Sequence, residues 1–159
     1  MNSSHFAGHQ EYQILQSQCD ELVREEGIRL VFLIHSTGQI IVASGKTEGK
    51  DLTGLAALFA GSMAGAIGIS KIFKEPDFST MIYEGPKEQV LMSAIAEKGI
   101  LIIHFDRARA LGWVRFLVKK RVHVIAGQLE ALKVKYAQLK SPMSDVSEEE
   151  IDDFNFGGF

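Results

Sequence analysis

Leu15, Cys19, Leu22 and Val23 recur at helical spacing among polar and charged residues, which predicts an amphipathic helix over residues 11–26. Gly27 is the expected terminating residue. The period then changes. Residues 29–35, RLVFLIH, are apolar and mostly branched, the pattern of a strand buried on both faces. Ser36–Thr37–Gly38–Gln39 has turn chemistry, and Ile40–Ser44 reads as a second strand, so the two form a hairpin. After the polar loop KTEGKD, a helix starts at a cap supplied by Asp51 or Thr53 and runs to about Lys74, where Pro76 stops it. FSTMIYE (78–84), Gln89–Ala96 and Ile100–Phe105 read as three further strands, separated by turns at Gly85–Pro86–Lys87–Glu88 and Glu97–Lys98–Gly99. From near Ala110, apolar residues at Leu111, Val114, Val118, Val122, Ile125, Leu129, Leu132, Tyr136 and Leu139 keep steps of three and four for about eight turns. Ser141–Pro142 ends that helix.

The element order is αββαβββα. Strands joined by tight turns are antiparallel, so the expected fold class is α+β: a five-stranded antiparallel sheet with one helix on one face and two helices on the other. Two covered faces account for strands that are apolar at nearly every position. The expected organisation is a disordered amino terminus over 1–10, one folded domain over 11–140, and an acidic flexible tail over 141–159. Ser147 followed by Glu148, Glu149 and Glu150 carries the start signal of a short helix within that tail.

The middle helix is the most informative segment. Residues 54–68 read GLAALFAGSMAGAIG, with Gly54, Gly61, Gly65 and Gly68 inside an otherwise strongly helical stretch. Each helical glycine costs roughly 1 kcal/mol relative to alanine, so the glycines need a reason. On a helical wheel, Leu55, Phe59, Ser62, Ala66, Ile69 and Phe73 form the expected core face. Ala57, Ala60, Gly61, Ala64 and Gly68 form a face nearly bare of side chains. Two readings follow: the smooth face packs on a neighbouring helix of the same chain, or it is a surface for other chains.

Composition adds limits. A chain of 159 residues with 46% hydrophobic and 23% charged residues has room for one full core. A net charge of −3 does not argue for nucleic acid. There is no run of 18 apolar residues, so no membrane insertion is expected. MNSSHFAGHQ has no basic region followed by an apolar run, so no secretory signal is expected. Cys19 is the one cysteine, which excludes an internal disulfide and fits a reducing cytoplasm. Charge is segregated: Arg107–Lys140 holds nine Lys or Arg against Glu130, whereas Ser141–Phe159 holds six acids and no base. A basic helix and an acidic tail could touch each other or serve separate partners; a solvated helix face with a solubilising tail is the plainer account.

Several motifs resemble chemistry without completing it. Gly45–Lys46–Thr47 looks like the end of a phosphate-binding loop, but Ile40 stands where the motif needs glycine and no helix follows at once. His5 and His9 have ligand spacing without a third ligand. His35, His104 and His123 are scattered, and His104 is expected to be a satisfied strand histidine. Ser62 follows Gly61 but lacks the second glycine of a nucleophile elbow. Arg107, Arg109 and Arg115 gather where the last strand meets the last helix; an arginine finger and a plain surface role are both readings of them. No catalytic residue, metal site or cofactor is expected. The third strand, by contrast, can lie at a sheet edge, and Thr80, Met81, Ile82 and Tyr83 include no Lys or Pro to blunt it. Two copies pairing there would form a ten-stranded sheet with their glycine-rich helices side by side, a two-fold homodimer.

The element order, the helix LTGLAALFAGSMAGAIGISKI, the strand FSTMIYEG and the segment HFDRARALGWVR closely resemble the roadblock / dynein light chain family, and within it the bacterial MglB proteins. The resemblance covers about residues 10–140 and extends loosely to the SEEEIDDF ending. It implies a profilin-like fold and a homodimer that binds a Ras-like GTPase of the MglA type, accelerating its GTP hydrolysis in the control of cell polarity and motility. By this resemblance the GTPase-binding residues would be Ala57, Ala60, Gly61, Ala64, Gly68 and Lys71. The implied protein is a regulator and not an enzyme: it settles the GTPase's switch loops instead of donating a catalytic arginine. Partners would then be a second copy, the GTPase and polarity scaffold proteins; the location would be cytoplasmic, with concentration at a cell pole. In the tail, Ile151, Phe154 and Phe156 would contact the GTPase, although NFGGF departs from the plainer acidic ending of relatives and leaves nucleotide exchange open. The alternatives are a roadblock scaffold or exchange co-regulator that binds without accelerating hydrolysis, and a small-molecule sensor of profilin-like shape.

Overall fold

The computed structural model describes residues 8–76 and 79–140. Its elements follow the expected order: α1 (His9–Val23), β1 (Ile28–His35), β2 (Ile40–Gly45), α2 (Leu52–Phe73), β3 (Thr80–Glu84), β4 (Glu88–Ile95), β5 (Gly99–Asp106) and α3 (Leu111–Lys140). The five strands form one sheet in the order β2-β1-β5-β4-β3, antiparallel throughout. The two most apolar strands, β1 and β5, are therefore central neighbours, with Phe32 opposite Ile102 and Leu33 opposite Leu101. Covering both of their faces is what makes period-two alternation vanish from their sequences.

The strand faces split between two cores. Val31, Leu33, Leu91, Leu101, Ile103 and Phe105 pack with Leu15, Cys19 and Leu22 of α1 and with Val114, Leu117, Ile125, Leu129 and Leu132 of α3. Leu30, Phe32, Ile34, Met92, Ile100 and Ile102 pack with Ala56, Ala60 and Met63 of α2. Ion pairs fasten α1 to α3: Arg121 Nη1 donates to Glu21 at 2.6 Å, and Lys135 pairs with the buried Glu11 carboxylate. That ammonium, through its hydrogen bond, holds the Glu11 carboxyl below the usual range.

Three expectations need correction. The first helix ends at Val23 rather than at residue 26. Arg24 caps it in a right-handed conformation, and Gly27 (φ 85°) serves the following turn into β1, where its carbonyl accepts from Asp106 N at 2.8 Å. Second, α2 is 22 residues long and, by length and composition alone, apolar enough to cross a membrane; the interspersed glycines hide this when apolar runs are counted. Here it is docked on the sheet. Third, α2 is rolled relative to the expected core face. Its buried residues are Ala56, Ala60, Met63 and Ala66, whereas Ile69 and Phe73 are exposed and Leu55 and Phe59 lie at the flank, half-buried.

Candidate functional site

The surface built by α2 and β3 differs from the rest of the molecule. Asp51 starts α2: its Oδ1 accepts from Gly54 N at 2.9 Å, satisfying one of the free donors of the first turn. Lys74, in the left-handed region at φ 54°, ends it. Between these caps the sheet-facing stripe is alanine, methionine and alanine, so large side chains are left for other directions. Leu58 is 71% exposed, Ile72 80% and Phe73 72%. Isolated exposed apolar residues are ordinary, but a concentration of them on one helix marks a contact surface.

Between these apolar side chains the outward line of α2 is bare. A Cβ placed on Gly61, Gly65 or Gly68 would meet nothing within 4 Å. Packing within the described chain therefore does not explain these glycines, and the first of the two readings of the smooth face fails. Contrast Gly38, at φ 94° in the β1–β2 turn: a Cβ there would come within 3.2 Å of the Ala57 Cα, so that glycine lets the hairpin tuck against α2.

Of the expected GTPase-binding residues, Ala57, Gly61, Ala64, Gly68 and Lys71 are all exposed along α2. Ala60 is not among them. It is 6% exposed and belongs to the core beneath the helix, so its expected contact role is corrected to a packing role. The expected edge is where it should be: β3 pairs with β4 and has no second neighbour in the sheet. Thr80 and Tyr83 are exposed there, Met81 and Ile82 half-buried. The ring of Phe59 links the two elements, with its centroid 5.8 Å from Phe32 and 6.4 Å from Tyr83. The opposite edge is less open, because α1 lies along β2: Gln16 Nε2 donates to the Ala43 carbonyl at 2.8 Å, and the Ser44 hydroxyl donates to Asp20. The tail residues Ile151, Phe154 and Phe156 lie outside the described residues, as does His5.

The remaining candidates disperse. Arg107 Nη1 donates to the Gly85 carbonyl at 2.8 Å and ties the β3–β4 turn to the end of β5. Arg109 lies over Gly27, and Arg115 is exposed on α3, so the three arginines do not converge. His104 Nε2 meets Glu88 Oε2 at 2.9 Å, and this hydrogen bond draws the Glu88 carboxyl below its usual range. Arg29 bonds Asp106 at 3.0 Å beside them. This cross-strand network had no signal in the sequence, since its members are brought together only by register. His35 is buried, hydrogen-bonds Thr37 Oγ1 through Nδ1 at 2.8 Å, and titrates below the usual histidine value because burial disfavours its charged form. Burial pushes the Cys19 thiol up to about 12, which makes it an unreactive core residue. Among the described residues no group of three or more His, Cys, Asp or Glu is placed to hold a metal ion.

Residues 14–105 match the Roadblock/LC7 domain. The chain belongs to the Roadblock/LC7 family. Among solved structures, the roadblock domain is similar to Myxococcus xanthus MglB at 31% identity and a TM-score of 0.74, covering 78% of this chain and 93% of that one. It also superposes on the gliding protein MglB of Thermus thermophilus (24% identity, TM-score 0.68, 76% and 91% covered). An MglB with a tetrameric arrangement gives 23% identity and a TM-score of 0.71, with 77% and 92% covered. No curated protein matches this sequence. The fold extends to profilin of Schizosaccharomyces pombe, at 12% identity and a TM-score of 0.53, with 70% of this chain and 96% of that one covered. That is the α+β architecture expected from the order of elements, and the profilin-like roadblock fold that the resemblance implies.

Proposed function

We propose that this chain is a homodimeric regulator of a small Ras-like GTPase of the MglA type, which it binds across α2 and whose GTP hydrolysis it accelerates. The observation that carries this reading is the open backbone at Gly61, Gly65 and Gly68, flanked by exposed Leu58 and Ile72. A helix with this surface admits another chain to backbone distance and gives it apolar area to bury. Similarity to MglB supports the same reading. Pairing of two β3 edges through Thr80, Met81, Ile82 and Tyr83 brings two α2 helices alongside each other, and one GTPase sits across both.

Regulation by such a surface is positional. Lys71 is the one cation within α2; Arg107 is bonded to the Gly85 carbonyl, Arg109 lies over Gly27, and Arg115 belongs to α3, which packs in the other core from α2. Phosphoryl transfer depends mainly on positioning and charge stabilisation. The surface therefore acts by ordering the GTPase's own switch loops, leaving catalytic groups to the GTPase. The setting is cytoplasmic, at a cell pole, where polarity scaffold proteins would be further partners. The rival reading is a scaffold or exchange co-regulator that binds without accelerating hydrolysis, with Ile151, Phe154 and Phe156 reaching the GTPase.

Sedimentation of the protein with the GTPase loaded with a non-hydrolysable GTP analogue tests the binding half of the proposal. One GTPase per two chains is expected, with complex formation lost in Ala64→Arg. Binding that survives Ala64→Arg would remove α2 from the interface.

A further inference from the structure

The outer face of α3 carries a second surface, distant in chemistry from α2. Trp113 and Phe116 are 40% and 49% exposed, and their rings stack at 5.6 Å between centroids. Lys120 Nζ sits 5.6 Å from the Phe116 ring centre, close enough for a cation–π contact. Arg115, Lys119 and Lys120 are exposed, and none makes an ion pair with a described residue. Further along α3, Arg121, Lys133 and Lys135 do otherwise, pairing with Glu21, Glu97 and Glu11. The first half of α3 therefore presents stacked aromatic rings beside three uncompensated cations.

We infer that this face is the docking site of the chain's own acidic tail, residues 148–156. That segment, outside the described structure, is complementary in composition. Glu148, Glu149, Glu150, Asp152 and Asp153 supply charge without a base, and Ile151, Phe154 and Phe156 supply apolar groups. The order also matches. Running back along α3 from Lys140, Lys120 and Lys119 come first and Phe116 and Trp113 follow; running forward along the tail, the acids come first and the phenylalanines follow. At 1.5 Å per helical residue, Lys120 lies about 30 Å and Phe116 about 36 Å from Lys140. At about 3.3 Å per extended residue, Glu150 reaches about 33 Å and Phe154 about 46 Å from the same point. The tail is thus long enough to bring its acids to the lysines and its phenylalanines to the ring pair within one chain. The contact belongs to the free protein and does not depend on the GTPase reading.

Trp113 is the sole tryptophan and reports on this site directly. In the full chain, acrylamide quenching of its emission should be weak at about 20 mM salt and rise roughly twofold at about 500 mM, where screening shortens the reach of charge. The variant E148Q/E149Q/E150Q/D152N/D153N should show the high quenching at both salts. Its substitutions all lie outside the described residues. Carbodiimide coupling of a mixture of unlabelled and 15N-labelled chains should join the tail acids to Lys119 or Lys120 within one chain. Quenching indifferent to salt and to the variant would overturn the inference. So would cross-links that are interchain or scattered over other lysines, or a tryptophan that becomes shielded only when anionic vesicles are added.

Discussion

On one face of the sheet, α3 buries Val114, Leu117, Ile125, Leu129 and Leu132 completely or nearly so, and salt bridges hold α1 beside it. On the other, α2 buries Ala56, Ala60, Met63 and Ala66 and leaves Leu58, Ile69, Ile72 and Phe73 in water. Both helices are long and rich in apolar residues. They differ in where the large side chains go. The α3 face puts its apolar area into the core, whereas the α2 face leaves much of it exposed, beside glycines at 61, 65 and 68 whose Cβ positions meet nothing within 4 Å.

The sharpest way to break this contrast is to place the same charge on the two sides of α2. Ala60→Arg forces a guanidinium between helix and sheet and should cost about 4 kcal/mol or prevent folding. Ala64→Arg, one turn along and exposed, should stay within about 0.5 kcal/mol of the parent. Urea denaturation measures both, and equal losses would show that the helix is seated differently. Removing apolar groups gives a milder version. Leu132→Ala should lose about 3 kcal/mol, while Leu58→Ala should hardly move the midpoint at low protein concentration. The comparison also extends to the sheet edges. Tyr83→Lys puts like charges across the proposed β3–β3 pairing and should weaken self-association at least tenfold, about 1.4 kcal/mol, read by sedimentation velocity with the monomer fold intact. An unchanged dimer would move the interface elsewhere.

The smallest effect concerns acid. Glu11 titrates below its ordinary value of 4.5 because Lys135 donates to it. Its folded pKa is depressed, so its stabilisation is fully present above about 4.5 and is lost as pH falls through the lowered value. Lys135→Met should therefore narrow the stability gap to the parent as pH drops from about 5 to about 3. A gap that stays constant over that range would show that the pair contributes nothing to acid sensitivity.

The architecture was legible because β1, β5 and α3 carry strong, unmixed patterns: continuous branched residues in the strands, and steps of three and four in the helix. The open β3 edge was legible too, from strand order and the lack of Lys or Pro. The seat of α2 was not. A helix apolar on every side gives no periodicity that distinguishes its buried stripe, and ranking faces by residue size points the wrong way when a close helix–sheet contact selects alanine. Ala60 was misplaced for this reason, although its neighbours Ala57, Gly61, Ala64 and Gly68 fell on the exposed side. The Arg29–Asp106 and His104–Glu88 contacts were hidden for a different reason, since pairs so far apart in sequence meet only through strand register.

The central claim is that the bare outer side of α2 regulates a Ras-like GTPase, and single-turnover GTP hydrolysis by an MglA-type GTPase tests it most directly. The account predicts a large acceleration by the parent protein and none by Ala64→Arg, with both proteins folded and dimeric. Acceleration that persists in Ala64→Arg, or a parent protein that binds the GTPase and leaves its hydrolysis unchanged, would contradict it.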